Sequence, residues 1–191
     1  MADVARSELI LGGQRSGKSR RAETLARTWM DAAPTNRAVM LATAQPWDGE
    51  MRERITRHQA DRAERVPGML TLEEPRDLAG ALRGCTNAST LVVVDCLTLW
   101  LTNLLMPADP GCALSESALM AANDDLCAAV ATAPGPVVLV ANEIGLGVIP
   151  LGREVRGFVD ALGRLNQQVA AVCDRVTLMA AGLPLVLKES T

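Results

Sequence analysis

Short apolar runs recur along the chain, at residues 8–13 (ELILGG), 38–44 (AVMLATA), 90–95 (TLVVVD) and 136–142 (PVVLVAN). They are bounded by Gly, Pro, Asn or Asp and lack polar alternation, which predicts parallel strands covered on both faces. Two further runs, 176–180 and 183–188, flank Gly182 and predict a closing antiparallel hairpin. Between the runs, helices are expected over about 18–31, 49–65, 76–83, 97–106, 115–132 and 153–172. The last carries Val155, Val159, Leu162, Leu165 and Val169 at helical spacing, and Ser115 is placed to cap the helix that follows it. Strand–helix alternation of this kind implies one α/β domain over 1–191, a mostly parallel sheet with helices on both faces and a C-terminal hairpin. Residues 107–114 are expected to form the one clear long loop.

Composition narrows the function. The 191 residues are 49% hydrophobic, yet only three Trp, one Phe and no Tyr contribute aromatics, so the core must be aliphatic. A net charge of −3 argues against a nucleic-acid groove, which needs a dominant basic surface. The longest apolar stretch, 97–106, is broken by Thr98, Thr102 and Asn103 and falls far short of the roughly 20 residues a spanning helix needs. Asp3 and Glu8 stand where an export signal would be basic and then apolar, so a cytoplasmic protein is expected. Five scattered cysteines with no Cys-x-x-Cys pair, and a single histidine, argue against both a zinc site and a disulfide framework.

The strongest local signal follows the first strand. Gly12, Gly13, Gln14, Arg15, Ser16, Gly17, Lys18 and Ser19 spell G-x-x-x-x-G-K-S between a strand and a helix, the context that makes this motif a phosphate-binding P-loop. Glycines let the backbone wrap so that its N–H groups converge on phosphates at the positive end of the helix. Lys18 supplies a cation for the β- and γ-phosphates, and the Ser19 hydroxyl is a ligand for Mg²⁺. The second metal group is expected at the end of a neighbouring strand, where Asp95 stands; its alternative is to cap the next helix. Glu143 is a weaker competitor. The Asn-Lys-x-Asp guanine signature of a switch GTPase is absent, because the fourth strand ends Asn142-Glu143-Ile144-Gly145. On length, a small-molecule phosphotransferase fits best.

The single histidine, His58, shares a helix face with Met51, Ile55 and Arg62. A lone histidine beside an apolar stripe is most often structural. Arg54, Arg57 and Arg62, however, surround it with donors suited to phosphate, and a neutral imidazole is a competent nucleophile toward phosphorus. The arginines have their own alternative, a solvated face paired with Glu50, Glu53 and Asp61. Trp47 has two readings, stacking on a base or corrin edge and ordinary surface packing.

GGQRSGKS at 12–19, LATAQPWDGEMRERITRHQADR at 41–62, VVVDCLTLWLTNLL at 92–105, ANEIGLGVIP at 141–150 and GRLNQQVA at 163–170 together resemble one family, through most of the chain. It is the bifunctional adenosylcobinamide kinase/adenosylcobinamide-phosphate guanylyltransferase family of cobalamin biosynthesis. The resemblance implies a P-loop, RecA-like fold, a homotrimer and two reactions. ATP or GTP phosphorylates adenosylcobinamide; GMP then passes from GTP through a guanylylated histidine to adenosylcobinamide phosphate, giving adenosylcobinamide-GDP. The family's histidine falls on His58. Its nucleotide contacts fall on Gly12 to Ser19, on Ala42, Thr43 and Ala44, and on Gln59, Ala60, Asp61 and Arg62. Its acidic residues correspond to Glu73 and Asp95, with Ser19 and Asp95 holding Mg²⁺.

Overall fold

A computed structural model describes residues 4–46 and 49–190. In chain order it contains β1 (Ser7–Gly12), α1 (Lys18–Ala32), β2 (Arg37–Ala42), α2 (Gly49–Arg65), β3 (Leu70–Glu73), α3 (Leu78–Cys85), β4 (Thr90–Asp95) and α4 (Leu97–Leu105). A 3-10 turn at Pro110–Cys112 leads to α5 (Glu116–Thr132), β5 (Val137–Val140), α6 (Arg153–Val172), β6 (Arg175–Ala180) and β7 (Leu183–Glu189). The strands form one sheet in the order β3-β2-β4-β5-β1-β6-β7. Every pairing is parallel except β6 with β7, the hairpin that closes the sheet.

The central strands are buried on both faces, which is why their sequences show no alternation. Period-two side chains nevertheless sort into two cores. Leu9, Leu41, Val92, Val94 and Leu139 pack against α3, α4, α5 and α6. Ile10, Met40, Leu91, Val93 and Val138 pack against Ala22, Leu25 and Ala26 of α1 and against Val66, just past α2. The fold is therefore the expected P-loop α/β sandwich with helices on both faces. Aliphatic residues fill it around Trp100, whose indole is buried and donates to the carbonyl of Arg76 at 2.8 Å. Ser115 caps α5 as expected, its hydroxyl accepting from the Ala118 N–H at 3.3 Å.

Two features differ from expectation. β3 is an additional strand at the sheet edge, four residues long and exposed throughout, so Leu70-Thr71-Leu72-Glu73 carries no buried-strand signature. Residues 107–114 are not the one long loop. They contain the 3-10 turn, whose start is capped by the Asp109 carboxylate accepting from Gly111 N–H, whereas 141–152 has neither helix nor strand. In that second loop Leu146, Val148, Ile149 and Leu151 are exposed, Val148 to 96%. Among the described residues no helix is long and apolar enough to cross a membrane.

Candidate functional site

Because the strands around β4 run parallel, their carboxyl ends share one edge of the sheet. Register pairs Ala42 with both Glu73 and Asp95, Asp95 with Val140, and Val140 with Ile10, two residues before Gly12. An open α/β sheet binds ligands at this edge.

The glycine loop is held closed from several sides. Gly12 and Gly17 have φ of 151° and 102°, and a Cβ on Gly12 would lie 2.5 Å from the Met179 carbonyl oxygen, so β6 packs directly on the loop. The Ser16 N–H donates to the Gly13 carbonyl at 3.3 Å, and the Glu143 N–H to the Gly12 carbonyl at 3.1 Å. At the turn of the terminal hairpin, the Gly182 N–H donates to the Ser16 carbonyl at 3.0 Å. The Lys18 ammonium folds back over the loop and donates to the carbonyls of Gly12 and Gly13 at 2.9 and 2.7 Å. Below the loop, buried Glu8 accepts from Arg21 at 2.7 Å and from the Thr177 hydroxyl at 2.8 Å, with Arg175 at 3.8 Å. A buried carboxylate requires such partners. Here they join α1, β1 and β6.

Asp95 ends β4 partly buried, one strand away from β1. Burial raises its carboxyl above the ordinary carboxylate range, and the neighbouring side chains of His58, Arg62 and Lys18 pull it back down. Glu23 adds to the rise. The predicted loop lysine, histidine and helix arginine thus all lie within electrostatic reach of one carboxylate. With a folded-state value above the unfolded one, the native state binds this proton more readily. The destabilising charge is thus absent at low pH and fully present once pH has risen past the folded value. Asp95→Asn is expected to raise the melting temperature of nucleotide-free protein at mildly alkaline pH. The gain should vanish below the ordinary carboxylate range. Thermal denaturation across pH measures this; a variant less stable than wild type throughout would refute it.

Thr43 lies inside the fold, behind the carboxyl edge of the sheet. It is fully buried; its hydroxyl donates to the Cys96 carbonyl at 2.8 Å and accepts from the Cys96 N–H at 2.9 Å. Its own N–H donates to the Asp95 carbonyl at 3.0 Å, and its carbonyl accepts from Asn103 at 2.8 Å. Thr43 thus positions Asp95, while Ala42 and Ala44 beside it are partly exposed. Glu73 is exposed at the tip of β3. Its neighbour Glu74 is engaged, accepting from the N–H groups of Arg76 and Asp77 at 2.8 Å each. The Glu143 carboxylate likewise accepts locally, from the Gly145 N–H at 2.7 Å.

The histidine helix is anchored at its carboxyl end. Arg65 pairs with buried Glu23 at 3.0 Å and with Asp61 at 3.3 Å, and its carbonyl accepts from Arg27 at 3.4 Å. Arg62 is buried and donates to the Thr71 hydroxyl at 3.4 Å. Arg57, His58, Gln59 and Ala60 are exposed, with Asp61 partly so. The arginine run therefore divides, Arg62 and Arg65 anchoring the helix and Arg57 facing outward. Trp47 and the side chains of Glu50, Met51 and Arg54 lie outside the described residues. Asp61–Arg65 is readable from sequence as an i,i+4 pair. Glu23–Arg65 and Gly182–Ser16 join distant segments and leave no local signal.

Among the described residues no group of three or more His, Cys, Asp or Glu side chains is arranged to hold a metal. Mg²⁺ in nucleotide enzymes takes one or two protein oxygens and completes its shell with phosphate and water. Ser19, on the first turn of α1, and Asp95 are oxygen donors of that kind.

The family model described as cobinamide kinase / cobinamide phosphate guanyltransferase matches residues 8–187. The chain is 48% identical over 182 residues to the bifunctional adenosylcobalamin biosynthesis protein CobP of Pseudomonas aeruginosa, covering 95% of this chain and 96% of that one. It is 35% identical over 187 residues to the bifunctional adenosylcobalamin biosynthesis protein CobU of Escherichia coli, covering 94% and 98%. Among solved structures, the flagellar accessory protein FlaH from Methanocaldococcus jannaschii superposes with a TM-score of 0.53 at 11% identity, over 98% of this chain and 80% of that one. That last likeness is one of fold.

Proposed function

The chain belongs to the cobinamide kinase / cobinamide phosphate guanyltransferase family, and on that premise we propose that it carries out both transfers of adenosylcobalamin biosynthesis in the cytoplasm, the second through a guanylylated His58. The observation that supports the histidine assignment is electrostatic. An exposed imidazole and the P-loop lysine act on the same carboxylate, Asp95, at the carboxyl edge of the sheet.

In the first reaction the hydroxyl oxygen of the aminopropanol arm of adenosylcobinamide attacks the γ-phosphorus of ATP or GTP. The bond to the β–γ bridging oxygen breaks, the nucleoside diphosphate leaves, and the hydroxyl proton passes to solvent. In the second, a ring nitrogen of His58 attacks the α-phosphorus of GTP and pyrophosphate leaves, giving a P–N bond. A phosphate oxygen of adenosylcobinamide phosphate then displaces the imidazole, forming the diphosphate of adenosylcobinamide-GDP. A histidine suits this division because the P–N bond it forms is itself reactive.

The N–H groups of residues 13–19 and Lys18 would grip the phosphates, with Ala42, Ala44, Gln59, Ala60, Asp61, Arg62 and Glu73 flanking the nucleotide and Thr43 holding Asp95 in place. Ser19 and Asp95 would hold Mg²⁺, which when bound neutralises charge on the phosphate oxygens. A homotrimer is the proposed assembly. It is supported by the exposed apolar loop at 144–151 and by β7, where Leu183, Leu185, Val186 and Leu187 are all exposed. Purified protein given adenosylcobinamide, ATP and GTP is expected to yield the phosphate first and the GDP derivative second, resolved by chromatography. Product from neither step, with nucleotide bound, would refute the proposal.

A further inference from the structure

β1 divides the carboxyl edge of the sheet into two sides. On the β5–β4–β2 side lie Asp95 and Glu73, and the helix bearing His58 reaches this side through Arg62, which bonds Thr71 of β3. On the β6–β7 side, between α1 and the terminal hairpin, is a cavity of about 310 Å³. Its walls include Arg20 and Thr24 of α1, the aliphatic chain of Leu25, Met179, and Gly182 and Pro184 of the hairpin. That volume sits at the low end of the roughly 300–1,000 Å³ usual for small-ligand pockets. Gly17 lines it too, so the cavity begins where the glycine loop opens α1.

The two transfers require opposite nucleotide polarities. For His58 to attack the α-phosphorus, α-phosphate and nucleoside must lie on the His58 side, with pyrophosphate in the loop. The acceptor of that GMP is the phosphorylated arm of the corrinoid, so the arm also reaches the His58 side. Its unphosphorylated form differs only at the tip, and enters the same way in the kinase step. The γ-phosphorus must then face the His58 side, which puts the α-phosphate and nucleoside at the opposite end of the loop. There the first residue past the loop is Arg20, which lines the cavity.

We infer that the cavity between α1 and the β6–β7 hairpin receives the purine nucleoside of the phosphoryl donor, whereas the GMP donor binds the same loop in the reverse direction. This rests on the two-reaction reading above. The lining suits a nucleoside: Leu25, Met179 and Pro184 offer apolar walls, and the exposed guanidinium of Arg20 offers a planar cation for stacking on a base. A Cβ added to Gly182 would meet nothing within 4 Å, so the hairpin turn borders open space. Arg21, which also lines the cavity, is held by Glu8 at 2.7 Å. The Gly182–Ser16 hydrogen bond ties the wall to the loop.

Thr24 is exposed on α1, so Thr24→Trp adds bulk to the cavity without disturbing the core. We expect this variant to raise the KM for ATP in phosphorylation of adenosylcobinamide about tenfold or more, while leaving protein labelling by α-labelled GTP within about twofold of wild type. Equal losses in both assays, or no change in either, would overturn the inference. Photolabelling of wild type with 8-azido-ATP, followed by peptide mapping, gives a readout independent of turnover. Label on residues 175–189 or on α1 supports the cavity, and label confined to α2 and β3 overturns it. A wild type lacking both activities would instead defeat the two-reaction reading, while the photolabel would still report where the nucleoside sits.

Discussion

His58→Ala is expected to leave no GMP on the protein after incubation with α-labelled GTP, whereas wild type carries an adduct stable in base and labile in acid. Guanylyl transfer should fall roughly 10³-fold or more, the scale of losing a covalent nucleophile. Phosphorylation of adenosylcobinamide should persist to within about tenfold, because that step places no bond on the imidazole. A modest change is expected even there, since the imidazole contributes to the electrostatic setting of Asp95. His58 is exposed, so its truncation opens no cavity and loss of activity will not reflect unfolding. Equal adduct on the variant and on wild type would move the nucleophile elsewhere. Collapse of both steps together would make the residue part of a shared binding surface.

Lys18→Ala should impair both steps, each by about 10²–10³-fold, the usual cost of losing one preorganised donor at a transferring phosphoryl group. Its ammonium spans the carbonyls of Gly12 and Gly13. Phosphate oxygens would take over from those carbonyls with little movement of the backbone. Nucleotide affinity should fall alongside the rates, since the cation meets the ground-state phosphates as well as the transition state. Retained labelling of His58 in Lys18→Ala, with the kinase step lost, would mean that GTP reaches the histidine without using the loop. That outcome would contradict the shared-loop scheme. Circular dichroism should show native helix content, because the ammonium bonds to the carbonyls of Gly12 and Gly13 in the loop rather than to a helix.

Apolar runs over 8–13, 90–95 and 136–142 were enough to identify central strands, because strands covered on both sides cannot alternate. The loop motif between β1 and α1 was legible for a similar reason: its glycines answer a local backbone demand, as the geometry at Gly12 and Gly17 bears out. β3 escaped because an exposed edge strand of four residues buries no stripe. The apolar residues of 144–151 would normally signal a core, yet they face outward. Thr43, carried over by resemblance as a nucleotide contact, has its polar atoms committed to Cys96, Asp95 and Asn103. No spacing rule reveals that, because the bonds join β2 to residues far along the chain. The α1–hairpin cavity is hidden for the same reason.

The hydrogen bond from Gly182 to Ser16, and the meeting of Arg175 and Thr177 on Glu8, tie the glycine loop to a hairpin synthesised long after it. On the ribosome, a growing chain exposes the loop early, but one flank of β1 stays unpaired until β6 emerges from the exit tunnel. Until then the carboxylate of Glu8 lacks two of its partners, and the loop lacks the wall that holds it in shape.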